Sequence, residues 1–335
     1  MSHTYESEAN WSPELRLELG MPSNATASGF MAYHRDHWYV PASADNKVFS
    51  VSKDGKYVMD INFNEEGATA SNGPVCCLVY DDYLYVSCWK NNKIYRRKLC
   101  YPMEDNFELF ATLAFNTAFM IVHDGKMYVA TLGAQIIYMI DMHSTTPHII
   151  NIGDIVVFAS VSSITGTPDD FVLERLAQIA IENDNLYVVD SYSGDIFKIP
   201  LDTGTAEKYA QVLGGFGCVA RDGYLYVSSA SAGTITKIPL CGTVPSMLPT
   251  LDISTSLNNP FGMVLRHDVI YVFNAGDNSV TKIYLNKLAE IVSEYGSLIK
   301  TTGIVSVLSF MLGFYYKKMY SRMRRNKRVI ERCMN

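Results

Sequence analysis

The sequence predicts an all-β fold: six four-stranded antiparallel sheets set as the blades of a six-bladed β-propeller, followed by a C-terminal α-helix. Three observations carry this reading. An apolar-Tyr-Val triplet recurs as Trp38-Tyr39-Val40, Leu84-Tyr85-Val86, Met127-Tyr128-Val129, Leu186-Tyr187-Val188, Leu225-Tyr226-Val227 and Ile270-Tyr271-Val272. The steps between its tyrosines are 46, 43, 59, 39 and 45 residues, the length of one four-stranded unit. Nine residues after each tyrosine stands a β-branched residue: Val48, Ile94, Ile137, Ile196, Ile235 and Val280.

The triplet is the second strand of each unit and the β-branched residue marks the third. Between them lie Asp45-Asn46, Asn91-Asn92, Ser193-Gly194 and Asp277-Asn278, residues that tolerate positive φ and suit tight hairpins. First strands are read in Val75–Tyr80, Ala118–Val122, Gln178–Ile181, Gly217–Ala220 and Gly262–Leu265. Polar turns such as His123-Asp124-Gly125 and Arg221-Asp222-Gly223 lead from them into the triplet. Fourth strands are read in Tyr57–Phe63, Phe107–Leu113, His148–Ile152, Lys208–Leu213 and Met247–Ile253. The sixth unit lacks a fourth strand, which would leave an open edge. Glu14–Leu19 alternates apolar and polar with period two and is expected to fill that place and close the ring. The long fourth step puts an inserted loop or extra hairpin within Asp154–Asp170.

The chain thus divides into an N-terminal extension (1–13), the propeller (14–286) and a C-terminal part (287–335). Hydrophobic residues make up 48% and charged residues 19%, enough apolar material for a large core. The net charge of −6 hides an asymmetry: residues 301–335 hold eight Lys and Arg against Glu331, or +7, leaving −13 on residues 1–300. An acidic body repels phosphate, so no nucleic-acid partner is expected. The seven cysteines have no CxxC or CxxH spacing and read as buried apolar fillers in a reducing compartment. The N-terminus shows no secretory signal.

From Leu288 the apolar period turns helical, through Ile291, Val292, Tyr295, Leu298 and Ile299. Residues 301–316 carry no charge, and with Leu298, Ile299 and a snorkelling Lys300 they give 19 residues, enough to cross a bilayer. The expected anchor comprises Ile304, Val305, Val307, Leu308, Phe310, Met311, Leu312, Phe314, the interfacial Tyr315 and Tyr316, and the first cations Lys317 and Lys318. A single-pass C-terminal anchor is therefore expected, spanning about 298–316 with a basic tail over 317–335. Lack of a leader favours a cytosolic propeller, whereas the positive-inside rule would keep the basic tail in the cytosol.

The unit RDGYLYVSSASAGTITKIPL (221–240) and its sisters resemble NHL-repeat blades and the related six-bladed senescence-marker/gluconolactonase and YWTD groups, over residues 14–285. The resemblance implies the propeller fold, and two functional expectations stand beside it. One, from the regular units, the apolar tail and the absence of a catalytic motif, is a membrane-anchored, non-catalytic binding or scaffold module for a protein or small ligand. Its protein partner would dock on the rim bearing Trp89, Phe158, Asp169 and Asp170. The other is a divalent-metal-dependent hydrolase or lactonase. There the resemblance implies an oxygen-ligand set at the central channel, carried over to Asn116, Glu174, Asp190, Asn258 and Asn274, which suits Ca²⁺ or Mg²⁺. No GxSxG, HExxH, Walker or EF-hand motif is present, so the expectation leans away from an enzyme and from any cofactor beyond Ca or Mg. His34, His123 and His267 fall on the opposite rim, in different units.

Overall fold

The computed structural model describes residues 15–18, 30–54, 56–62, 72–99, 107–132, 136–142, 156–160, 176–240, 251–255 and 257–285. Among them, β1 (Leu15–Glu18) opens the chain. Five consecutive meanders follow: β2 (Ala32–His34), β3 (His37–Ala42), β4 (Lys47–Ser52), β5 (Tyr57–Asn62); β6 (Pro74–Tyr80), β7 (Tyr83–Cys88), β8 (Lys93–Lys98), β9 (Glu108–Thr112); β10 (Asn116–His123), β11 (Lys126–Leu132), β12 (Ile136–Asp141), β13 (Val156–Ser160); β14 (Leu176–Glu182), β15 (Asn185–Asp190), β16 (Asp195–Pro200), β17 (Glu207–Gln211); and β18 (Gly215–Arg221), β19 (Tyr224–Ser229), β20 (Thr234–Pro239), β21 (Leu251–Thr255). The last sheet holds β22 (Pro260–Arg266), β23 (Val269–Asn274) and β24 (Ser279–Tyr284), with β1 as its fourth strand. Each sheet is antiparallel and four-stranded, in chain order from its inner strand outward, apart from the returning β1. We call them sheets one to six.

The triplet works because both faces of each sheet are buried. Side chains alternate along a strand, so the tyrosine points one way and its neighbours the other. Tyr187 packs with Cys218, Leu225 and Val227 of the following sheet. Its neighbours Leu186 and Val188 pack with Tyr128, Ala130 and Ile137 of the preceding sheet. The β-branched residue nine positions on shares the tyrosine's face, because a four-residue loop puts it opposite the residue two after the tyrosine. Pairs such as Ser87↔Ile94, Val189↔Ile196 and Phe273↔Val280 repeat this register. The last loop residue takes positive φ each time it is described: Asn46, Asn92, Gly194, Gly233 and Asn278, the conformation these residues reach at least cost.

One apolar cluster fills each gap between consecutive sheets: one–two, two–three, three–four, four–five and five–six. A sixth joins sheet six to sheet one through Trp38, Val40 and Phe49 against Phe273 and Val280. The packing is therefore cyclic. β1 completes it at the edge, pairing antiparallel with β24 in the register Leu15↔Lys282 to Glu18↔Ser279, as the alternation of Glu14–Leu19 predicts.

Two sequence expectations are corrected. The outer strand of sheet three is Val156–Ser160, not His148–Ile152; the β-branched and aromatic run VVFAS suits a strand better than the earlier segment, which follows directly on Pro147. Phe158 therefore lies in an outer strand rather than an inserted loop. The outer strand of sheet five is Leu251–Thr255, four residues later at its start than the expected Met247–Ile253. The C-terminal helix and expected span, together with Glu174, Asp169 and Asp170, lie outside the described residues. Among the described residues no helix is long and apolar enough to cross a membrane.

The strand directions define two rims. One, the hairpin rim, carries the four-residue loops between second and third strands and the entries to the inner strands. The other, the turn rim, carries the two-residue turns Arg35-Asp36, Asp81-Asp82, Asp124-Gly125, Asn183-Asp184 and Asp222-Gly223, all in positive φ.

Candidate functional site

The inner strands meet at the axis, and each from sheet two to sheet six carries an extra residue against its partner. The register slips between Pro74 and Cys76, Thr117 and Met120, Leu176 and Ile179, Gly215 and Cys218, and Pro260 and Met263. Such bulges re-aim side chains and sharpen the twist. Here they lie near the hairpin-rim end of the inner strands.

Four phenylalanines converge there, three from inner strands and Phe30 from just before β2, where it bridges to Cys76. Phe30 meets Phe119 edge-on at 4.9 Å between ring centroids, Phe216 stacked at 5.7 Å and Phe261 at 6.3 Å. Phe216 and Phe261 lie 3.5 Å apart by centroid. Phe30 is 3% exposed, while Phe119, Phe216 and Phe261 are half-buried. Rings from the inner strands of sheets three, five and six, with Phe30 from just before β2, thus pack against one another at this level.

A polar bridge accompanies the rings. Gln178, on the inner strand of sheet four, donates from Nε2 to the Met263 carbonyl at 2.6 Å and accepts the Met263 N–H on Oε1 at 2.9 Å. It mimics a strand partner for sheet six and reaches it past sheet five. Gly217 allows this: a Cβ there would collide with the Phe261 carbonyl and come within 2.9 Å of Gln178 Oε1. Ser228 ties the same region, accepting the Gly217 N–H at 2.8 Å and donating to the Phe261 carbonyl at 2.7 Å.

The metal-ligand residues named from the resemblance are placed as follows. Asp190 ends β15, is 0% exposed, and its Oδ1 accepts the Tyr192 N–H at 2.8 Å. Its Oδ2 is buried without a hydrogen-bond partner, and burial raises its carboxyl above the usual range. Asn274 ends β23 and donates to Ser279 Oγ and Thr281 Oγ1, while its Oδ1 is likewise without a partner. Thr131 and Ser229 occupy the same repeat position and bond within or beside their own hairpins. This position holds the loop that fixes the nine-residue spacing. Asn258 donates to Asp277 Oδ2 in its own sheet at 3.0 Å, and Asn116 starts β10. Asp190, Asn258 and Asn274 are thus each held within their own sheet. Among the described residues, no three His, Cys, Asp or Glu side chains group as a metal centre.

Of the partner-site residues, Trp89 is half-buried on the hairpin rim. Its indole N–H donates to Ser43 Oγ of sheet one at 2.7 Å, so it buttresses the joint between sheets one and two. The large exposed apolar side chains among the described residues are Leu213 at 74%, Tyr192 at 72% and Phe115 at 42%. All three stand on the hairpin rim. Val212 N–H bonds the Gly194 carbonyl at 2.8 Å, which brings the Leu213 entry beside the Tyr192 loop. Sequence reasoning missed these three and the four axial phenylalanines. Phe216 and Phe261 do stand ten residues before Tyr226 and Tyr271, and Phe30 and Phe119 nine before Tyr39 and Tyr128. That spacing is a legible signal, weakened by its one-residue slip.

No family model matches the chain, and no curated protein matches it. Solved structures do. Virginiamycin B lyase from Staphylococcus aureus is similar over 82% of this chain and 99% of its own, with a TM-score of 0.54 and 13% identity. Its catalytically inactive variant with quinupristin matches over 82% of this chain and 89% of its own, at TM-score 0.55 and 13% identity. A structural genomics protein of unknown function from Bacteroides thetaiotaomicron matches over 82% and 73%, at TM-score 0.57 and 12% identity. At these identities the likeness is one of fold, and it establishes the chain as all-β and propeller-like.

Proposed function

We propose that this chain is a six-bladed β-propeller of the NHL-repeat and senescence-marker/gluconolactonase-like group, held at a membrane by residues 298–316 and serving as a non-catalytic binding module. The observation that carries the binding reading is the axis: four phenylalanine rings occupy the level where the inner strands enter. A ligand is then met on a rim surface, and the exposed Tyr192 and Leu213 offer one on the hairpin rim. The membrane reading is supported by the charge-free stretch 301–316 and its flanking Tyr315, Tyr316, Lys317 and Lys318. Its test is co-flotation of the full chain with phosphatidylcholine vesicles. Replacing Val307 by Asp and Leu308 by Arg adds about 2.5–3.5 kcal/mol per charge at the centre of a span and is expected to abolish flotation.

A second reading keeps one specific support. The Asp190 Oδ2 and Asn274 Oδ1 atoms are buried acceptors with no hydrogen-bond partner, and such oxygens suit a hard cation. A divalent-metal hydrolase using Asp190 and Asn274 predicts that millimolar Ca²⁺ or Mg²⁺ raises the melting temperature by mass action. No shift in the full chain removes this reading.

A further inference from the structure

We infer that the outer edge of sheet three is a self-association surface, on which β13 of one chain adds antiparallel to β13 of a second copy about a two-fold axis. The inference does not depend on the membrane reading. It starts from a break in the repeat. The tenth and eleventh residues after each triplet tyrosine pair with the outer strand. In sheet two these rungs are Tyr95↔Leu109 and Arg96↔Glu108, in sheet four Phe197↔Lys208 and Lys198↔Glu207, in sheet five Thr236↔Asp252 and Lys237↔Leu251. Sheet one keeps a charge there in Asp60, opposite Phe49, and sheet six in Arg16 and Lys282, opposite Thr281 and Leu15. Sheet three has Tyr138↔Val157 and Met139↔Val156. The strand β13, VVFAS, carries no charge anywhere, whereas each of the other five outer strands carries at least one.

Those charges guard the edges. Glu108 pairs with Arg96, and Glu207 with Lys198 at 3.2 Å; the two carboxylates are 55% and 61% exposed. Lys208 pairs with Asp195 at 2.8 Å. An edge strand presents unpaired N–H and C=O groups, and charged side chains beside them must lose water before another strand can dock. Sheet three lacks this guard. β13 is the last strand of its sheet, with β12 on one side and no strand among the described residues on the other. Its β-branched and aromatic composition, without Gly or Pro, is the kind that pairs readily. A bulge is a second way to blunt an edge, but the slip in β13 recurs in β9 and β17. The missing charge is what sets β13 apart.

The same feature selects the occupant. In a two-fold contact each edge residue lies near its own copy, so a charged edge brings like charges together, which destabilises a strand pair. Residues 1–300 bear −13, so two copies repel at long range and need an uncharged seam to meet. β13 supplies one. A partner of different sequence could be recognised at a charged edge through opposite charge; at β13 a second copy pairs with no charge left unmatched.

The test uses the full chain in detergent with Cys100, Cys241 and Cys333 changed to Ser, followed by multi-angle light scattering over a dilution series. A dimer that dissociates on dilution is expected. Met139→Lys with Val156→Glu gives sheet three the Lys198–Glu207 arrangement of sheet four, so the sheet has a pattern that this fold already accepts. This pair of changes is expected to weaken dimerisation at least about tenfold through like charge across the seam, with the melting temperature of the monomer unchanged. In a separate arm, Val156→Cys is expected to cross-link to its own copy with a short bismaleimide. Glu207→Cys, at the same register position in sheet four, is expected not to. The four described native cysteines are buried, so the introduced thiol is the one that reacts. A chain that is monomeric throughout the series overturns the proposal. A dimer that the paired changes leave intact, or that cross-links as well from 207 as from 156, overturns it too, because the contact then lies elsewhere.

Discussion

Gly217 sits where the backbone of sheet six and the Gln178 amide leave no room for a methyl group. Gly217→Ala must push the Phe261 carbonyl away and disturb the paired Gln178–Met263 bonds; overpacking of this kind costs about 1–3 kcal/mol. A lower melting temperature in thermal unfolding is the expected outcome, and an unchanged one refutes the bridge. Asp190 gives a second residue-scale prediction. Its carboxyl is raised by burial, so the folded chain holds the proton more tightly than the unfolded chain. The buried charge then costs stability at neutral pH, and that cost fades as pH falls through the folded pKa toward the unfolded value of about 3.9. Asp190→Asn keeps an oxygen for the Tyr192 amide. It is expected to melt above the parent at pH 7, with the gap closing as pH approaches about 4; a gap that widens on acidification contradicts this account. The residue-scale geometry was the least legible in the sequence. Bulges in the inner strands break the period of two, so the directions of Phe216, Phe261 and Gln178 could not be read from alternation. The residues around the triplets were legible because burial on both faces leaves alternation intact.

At the scale of elements, the spacing between triplet and third strand was readable because one loop length repeats and its last residue must accept positive φ. The returning β1 was readable for a different reason: the sixth repeat is one strand short, and an edge must be covered. The outer strands were not, because they are defined by pairing with a neighbour rather than by their own pattern; β13 and β21 both start later than their composition suggested. The role of β1 makes a prediction. Deleting residues 1–19 removes the pairing Leu15↔Lys282 to Glu18↔Ser279 and exposes the free edge of β24. Lower thermal stability and concentration-dependent self-association are expected, read by melting and by size-exclusion chromatography at two concentrations. A truncated chain that associates no further than the parent and melts with it shows that β1 adds nothing to closure.

At the scale of the whole molecule, the cyclic packing and the charge division pull on different properties. Six apolar clusters, one per gap, mean that each sheet is buried on both faces, and the cluster between sheets six and one carries the same kind of contact as the other five. The body of residues 1–300 bears −13 and residues 301–335 bear +7. A chain so divided could reach an anionic membrane in two physically different ways. If the basic residues alone hold it to the surface, each contributes about 1 kcal/mol that salt screens away, because the Debye length shrinks to about 3 Å at 1 M. If residues 298–316 cross the bilayer, attachment comes from apolar burial and does not depend on salt. The full chain, incorporated from detergent into vesicles with and without phosphatidylserine, separates the two. Flotation with both vesicle types, unchanged at 1 M salt, is expected. Release by salt, or flotation confined to phosphatidylserine vesicles, would reduce the tail to a surface contact.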